Sequence, residues 1–255
     1  MPNYVMNRLA VSGTSSRMWS QIAEFVKNDE DEENCLAFDF NKIIPMPHEL
    51  DIYSGSKYEK LGYLYGHYCT PESKYSPLLG VSESVFESIQ MSKTDWQKNG
   101  FPCVFDPEKD LTEEERLLLS GKYPLFNGAA AEFPSLYIGY YLSQNRIFYG
   151  YSDWYNWRIL HWGTKWNAMD AKLLDEGFGW LFYTAWSVPE QIVKTLSMIF
   201  PNPMFTLRYA DEDFGVNCGE VTYQNGFETH MYTPEEGSDV ARKFAERLWI
   251  GAEKA

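Results

Sequence analysis

The densest cluster of residues able to take part in binding lies between positions 154 and 166. It combines four tryptophans with an arginine, a histidine and a lysine: Trp154, Trp157, Arg158, His161, Trp162, Lys165 and Trp166. Indole rings next to cations can stack on nucleic-acid bases or anchor a peptide. The same residues can instead fill a core in which a helix packs on a sheet. Core packing is the commoner role, but aromatic residues this dense usually leave some rings exposed. We therefore predict these seven residues as the binding site.

Sequence patterns of known catalytic and metal sites are missing. The chain has neither a Gly-x-Ser-x-Gly nucleophile motif nor a phosphate-binding or dinucleotide-binding glycine motif. The cysteines include no Cys-x-x-Cys pair, and the histidines are scattered: His48, His67, His161 and His230. We therefore predict no metal and no cofactor.

Two arrangements of acids would still permit an enzyme. Glu220 and Glu228 would face each other if residues 219–232 form a hairpin, and a glycoside-type reaction needs two carboxyl groups at a fixed separation. A small-molecule or nucleotide enzyme would instead need a pocket that joins three kinds of side chain. These are His161, Arg158 and an acid such as Asp153 or Glu220.

The charge balance limits the partners. The 255 residues carry 22 basic and 36 acidic side chains, a net charge of −14, and the acids cluster at 29–33, 106–115 and 211–213. Such a charge repels duplex DNA and anionic membranes, so nucleic acid is a disfavoured partner and a protein partner is preferred. The acidic runs are typical of solvated loops, although carboxylates spaced like phosphates could also imitate DNA.

Apolar runs are short throughout the chain. The longest covers residues 179–186, and the N-terminal residues lack the apolar stretch of a secretory signal. We therefore predict a soluble cytoplasmic protein with no membrane partner.

Hydrophobic periodicity and capping residues predict alternating strands and helices. Strands are expected at 3–11, 35–45, 178–186 and 204–212, with a hairpin at 219–232 that turns at Asn225-Gly226. Helices are expected after Ser15, over 152–163 and 165–176, after a capping box of Ser187 and Glu190, and from Thr233 onward. Three further capping-box patterns predict helices within 56–121.

This order predicts an α+β fold with a ferredoxin-like, split β-α-β sheet, helices on one face, a large mostly helical insertion, and a C-terminal hairpin plus helix. We expect a single domain over 1–255. Its sheet core would comprise 1–45 and 178–255, and the insertion would comprise 46–177.

Several blocks of the sequence resemble one family. They are PNYVMNRLAVSG at the N-terminus, FDFNKIIPMPHEL at 38–50, YNWRILHWGTKWNA at 155–168, FYTAWSVPEQIVKTLSMIFP at 182–201 and FTLRYADED at 205–213. Together they resemble the YubB ferredoxin-like family of enterobacterial plasmids and phages. The resemblance implies the fold and a mobile element in a bacterial cytosol, but it implies no reaction, ligand or catalytic residue. The family's tryptophan block more often has Asn in place of His161, which argues against an essential histidine.

These observations favour a non-enzymatic accessory protein that binds a host or element macromolecule and inhibits a bacterial defence, with an acidic DNA mimic as one form of it. Two alternatives stay open: an enzyme that acts on a small molecule or nucleotide near the tryptophan block, and a binder of single-stranded nucleic acid.

Overall fold

The computed structural model describes residues 3–28, 37–52, 54–55, 135–175 and 177–253. The chain divides into two compact units, one of residues 1–46 with 156–255 and the other of residues 47–155. The predicted helices within 56–121 lie outside the described residues. The single domain and its insertion at 46–177 stay predictions.

Six strands and six α-helices, labelled here in chain order, occupy the described residues. The strands are β1 Tyr4–Ser12, β2 Met169–Leu173, β3 Phe178–Ala185, β4 Met204–Asp211, β5 Cys218–Gln224 and β6 Phe227–Tyr232. The helices are α1 Ser16–Val26, α2 Phe40–Ile43, α3 Ser135–Tyr149, α4 Trp154–Trp162, α5 Glu190–Ile199 and α6 Asp239–Glu253. A 3₁₀ turn, His48–Leu50, follows α2 in the sequence.

The strands form one antiparallel sheet in the order β2-β3-β1-β4-β5-β6. The N-terminal strand β1 lies between β3 and β4, so the unit β3-α5-β4 is split by a strand from elsewhere in the chain. In the same way, β3 lies between β1 and β2. This is the ferredoxin-like, split β-α-β arrangement, and β5 and β6 extend it at one edge. The predicted fold class is confirmed.

Alternation along each strand gives the sheet two different faces. The aromatic face carries Val5, Leu9, Trp180, Phe182 and Leu207, all buried. Trp19 of α1 lies against the ring of Trp180 on this face. The α6 face carries Met6, Leu181, Ala210 and Cys218, which pack with Ala241, Ala245 and Leu248 of α6. The expectation that all helices share one face is therefore wrong.

The predicted second strand at 35–45 is also wrong over its described part. Phe38 and Phe40 alternate as strand residues would, and both are fully buried. However, the Asp39 carboxylate accepts a hydrogen bond from the backbone N–H of Asn41 and caps the short helix α2. The first backbone N–H groups of a helix have no partner within the helix, and an N-cap aspartate accepts a hydrogen bond from one of them. This hydrogen bond favours the short helix over a strand.

The predicted helix at 165–176 is wrong, because the described residues of this range form a strand and no helix. Residues 169–173 form β2, with Met169 opposite Tyr183 and Leu173 opposite Trp180. Ala, Lys, Leu and Met all favour helices, so local propensity points to the wrong state. Pairing with β3 overrides that propensity, and an exposed edge strand shows little alternation in its sequence.

The hairpin and the C-terminal helix lie close to their predicted positions. Asn225 and Gly226 have φ of +50° and +77°, as a type I′ turn requires, and they join β5 to β6. The C-terminal helix begins at Asp239, a few residues after its predicted start.

The predicted capping of α5 by Ser187 is wrong. The Ser187 hydroxyl does not cap α5, because it donates to the carbonyl oxygen of Gly163 at 2.6 Å.

A buried polar cluster joins α1, α2 and the segment before β2. Asp39 is 2% exposed and accepts hydrogen bonds from the side-chain amides of Asn28 at 2.9 Å and Asn167 at 2.6 Å. The Asn167 carbonyl oxygen accepts in turn from the backbone N–H groups of Phe40 and Ala168. Each buried polar group of this cluster is thus matched by a partner.

We expect Asn167→Asp to lower the free energy of unfolding by about 1–3 kcal/mol, because it removes the donor to Asp39 and sets one carboxylate against another. Urea denaturation measures this loss. Asn202→Asp, at an exposed position, serves as the matched control and should change stability by less than about 0.5 kcal/mol. Equal effects of the two substitutions would contradict the assigned role of the cluster.

Alkaline pH should also destabilise the fold. Burial, and then the nearby Glu190 carboxylate, raises the pKa of Tyr223 above its usual value of 10.0. The folded state therefore keeps the phenolic proton at a pH where the unfolded chain has lost it. The stability that this group contributes is present below about pH 10 and falls as the pH rises further. Unfolding at about pH 8 and about pH 11 tests this prediction.

Tyr223→Phe should make the alkaline loss of stability smaller. It should not abolish the loss, because burial also raises the pKa of Tyr209. If the variant and the wild-type protein lost equal stability, Tyr223 would not be the responsible group.

Candidate anion-binding groove

Most of the predicted tryptophan site is packed into the fold. Trp162 is fully buried and its indole N–H donates to the carbonyl oxygen of Ile44 at 2.9 Å. Trp157 is 6% exposed and meets Trp162 edge to face. Their neighbours Phe40 and Phe182 continue this aromatic packing to the sheet.

Two polar members of the block are bound to the same tryptophans. The His161 ring stacks on Trp157 at 4.2 Å, and its Nδ1 donates to the Trp157 carbonyl oxygen at 2.8 Å. The Arg158 guanidinium lies 4.9 Å from the centre of the Trp162 ring, and its Nε contacts the sulfur of Met46. These contacts are those of a structural cluster.

The remaining members lie elsewhere. Trp154 is half-buried and packs on Tyr155. The Lys165 ammonium sits between two indoles, 4.1 Å from the centre of the Trp166 ring and 3.9 Å from that of Trp186. The structure therefore groups Trp157, Arg158, His161 and Trp162, and it places Lys165 and Trp166 with Trp186, a residue that the sequence analysis did not select.

The two enzyme-like arrangements that involve Glu220 do not form. Glu220 lies opposite Tyr232, and Glu228 lies opposite Tyr223, because the hairpin register shifts between Thr222 and Tyr223. The two glutamates thus do not face each other. Glu220 points to the α6 face of the sheet, whereas His161 packs on the aromatic-face side, so these two cannot share a pocket.

A groove of ≈570 Å³ lies on the α6 face, between the sheet and α6. Four cationic residues line it: Arg8 of β1, Arg208 of β4, and Lys243 and Arg247 of α6. None of the described residues that line it is acidic. The groove is a local concentration of positive charge in a chain of net charge −14.

Register places the two strand arginines together. Arg8 is directly opposite Arg208 in the β1–β4 pair, and like charges in this position repel. Arg208 is balanced by the Glu220 carboxylate, which is also 3.5 Å from the Nε2 of His230. Within the described part of the chain, the side chain of half-buried Arg8 makes no hydrogen bond or ion pair.

The helical side of the groove alternates apolar and cationic residues. Val240, Lys243, Phe244 and Arg247 recur at spacings of three and four, so they share one side of α6. Phe244 meets the ring of Tyr232, which closes the groove at the β6 end. The arrangement offers cations on an apolar surface, as required to bind an anionic group next to an apolar one.

Sequence reasoning missed this groove, although one signal was available. Arg8 is the single charged residue of β1, and Arg208 is the single basic residue of β4. Only the antiparallel register brings the two together. The acidic runs at 29–33 and 106–115, which suggested a DNA mimic, lie outside the described residues. In the third run, Asp211 is buried and accepts from Asn3 and from the backbone of Asp213.

In the ranges that the structure describes, no three His, Cys, Asp or Glu side chains gather as a metal site would need. No helix there has the length and apolarity to cross a bilayer.

We expect the tryptophan block to respond to substitution as a core does. Trp162→Phe should lower the free energy of unfolding by about 1–3 kcal/mol, because it leaves a void and an unpaired Ile44 carbonyl. Trp166→Phe, the control, keeps an aromatic ring beside Lys165 and should change stability by less than about 0.5 kcal/mol. Thermal or urea denaturation measures both, and a larger effect at Trp166 would refute this assignment.

Comparison with known proteins supports the fold. Residues 161–250 match the model of a family described as a ferredoxin-like domain in Api92-like protein. The matched segment contains β2 to β6 and leaves out β1, the strand that lies between β3 and β4. The chain is also similar to the crystal structure of a protein api92 from Yersinia pseudotuberculosis, with a TM-score of 0.42 and 13% identity, over 93% of this chain and 100% of that one. No curated protein matches the chain. Residues 161–250 are thus similar to the ferredoxin-like domain of Api92-like proteins.

Proposed function

We propose that the protein is a non-enzymatic accessory protein of a phage or plasmid that binds a host or element macromolecule through the groove on the α6 face. The observation that carries this proposal is Arg8, a half-buried arginine that lies opposite Arg208. Glu220 balances Arg208 and makes no ion pair with Arg8, so the charge of Arg8 costs stability unless a further anion meets it. Residues that lower the stability of the fold are typical of binding sites, because such residues serve function at the expense of stability.

The resemblance to the YubB family supports the mobile-element setting and a bacterial cytosol. Inhibition of a host defence is the activity that we propose for such an accessory protein. The groove supports binding rather than catalysis, because its charged groups are three arginines and a lysine. Arginine does not exchange protons near neutral pH, so it suits recognition of an anion better than acid–base chemistry.

The groove favours a partner that presents an anionic group. The predicted preference for a protein partner fits the chain's negative charge, which opposes a long nucleic acid. The two alternatives, an enzyme near the tryptophan block and a single-strand binder that uses its indoles, receive no support from the packing of Trp157 and Trp162.

Arg8→Met separates binding from folding. The substitution should raise the free energy of unfolding by about 0.2–1 kcal/mol, because it removes one of two opposed like charges. The same substitution should abolish capture of a partner that the wild-type protein retains from an enterobacterial lysate. Denaturation and affinity capture with mass spectrometry measure the two effects.

Arg17→Met is the matched control, since Arg17 is exposed on α1 on the other side of the sheet. It should leave capture unchanged. Capture that survives Arg8→Met, or that is lost equally in both variants, would contradict the proposal, as would the absence of any captured protein.

A further inference from the structure

We infer that the groove on the α6 face binds a short, extended peptide segment in which acidic residues alternate with apolar ones. This inference rests on the proposed function and specifies the chemistry of its partner. It follows from the spacing of the cations, from the apolar surface between them, and from the charge of the whole chain.

The cations of α6 have the spacing of alternate residues in an extended chain. Lys243 and Arg247 are four residues apart on one helix face, a rise of about 6 Å. Side chains on the same side of an extended peptide recur about every 6.6–6.8 Å. Two acidic residues separated by one residue can thus contact Lys243 and Arg247 together.

Arg8 supplies a third positive charge on the sheet side of the groove. The Glu220 carboxylate contacts Arg208 and lies near His230. Of the two opposed arginines, Glu220 therefore balances Arg208 and leaves the charge of Arg8 unbalanced. A peptide carboxylate over β1 would balance Arg8 and remove the repulsion between the two strands. Charge-assisted pairs between guanidinium and carboxylate groups are among the stronger polar contacts in proteins.

Apolar residues separate the cations and select against a purely charged ligand. Phe244 lies between the two α6 cations, Val240 lies one turn before them, and Leu181 lies on the sheet side. A ligand with acidic groups alone would leave these apolar surfaces in water. An aliphatic or aromatic residue between two acids would cover them.

The charge of the protein decides between a peptide and a nucleic acid. A short peptide in the groove lies within about one Debye length, 8–10 Å, of the cations. A long nucleic-acid strand would extend beyond them and meet the field of a chain with net charge −14. The groove therefore suits a few carboxylates better than a continuous polyanion.

Fluorescence anisotropy with defined probes tests this inference. The first probe is a fluorescein-labelled peptide, Glu-Phe-Glu-Leu-Glu, and its matched control is Gln-Phe-Gln-Leu-Gln. We expect the acidic peptide to bind the wild-type protein at least about tenfold more tightly than the glutamine peptide, with an affinity that falls as salt rises. A third probe, labelled oligothymidylate, should bind more weakly than the acidic peptide.

Two groove variants and one control locate the binding. Arg8→Met and, separately, Lys243→Met should each weaken the acidic peptide by about tenfold, the loss expected for one charge-assisted contact. Lys243 is exposed on α6, so its substitution should leave folding intact. Arg17→Met should bind the peptide as the wild-type protein does.

Equal affinity for the acidic and glutamine peptides, tighter binding of oligothymidylate, or insensitivity to both groove variants would overturn the inference. If lysate capture depends on Arg8 while the acidic peptide does not bind, the inference about the peptide fails and the proposed function stands. If the peptide binds as expected but no lysate protein is captured, the proposed function fails and the chemistry of the groove stands.

Discussion

The rest of the structure depends on the pairing of β1 with two strands at once. Eight residues of β1 are paired with β3 on one edge and eight with β4 on the other, both antiparallel. Strands β3 and β4 do not pair with each other in the sheet, because β1 lies between them. The N-terminal strand therefore joins two strands that lie much later in the chain. The same pairing fixes which β1 side chains meet the aromatic face and which meet α6, since a shift of one residue would exchange the two sets.

The two faces of the sheet that this register defines differ in how they are covered. On the aromatic face, large rings from β3, α1, α2 and α4 fill the space above the sheet, and the polar cluster around Asp39 and Asn167 holds α2 against the segment before β2. On the other face, α6 covers only part of the sheet. Beside it, Arg8 and Arg208 stand opposite each other. A packed face and a charged groove thus share one set of strands, and substitutions in one need not disturb the other.

Sequence patterns were most informative where a strand is central or a turn is tight. β3 is a continuous apolar run because both of its faces are buried, and the Asn225-Gly226 turn follows from the positive φ that it requires. The sequence patterns predicted the wrong structure at α2 and β2. At α2, the capping aspartate outweighs an alternating pattern. At β2, an edge strand of helix-favouring residues is held only by its partner. The sequence showed that the seven residues of the tryptophan site form a cluster. It could not show whether the rings pack in the core or bind a partner, because an indole ring has both an apolar surface and a polar N–H group.

The sequence by itself determined the fold class, the central strands, the hairpin, and the aromatic composition of the core, because periodicity and turn residues are local properties. The tertiary structure alone decided which tryptophans are buried, that α6 packs on part of the second face, and that Arg8 lies opposite Arg208. Those two residues are 200 positions apart in the chain. Their contact arises from strand register, which is set by the packing of the whole sheet and has no local signal.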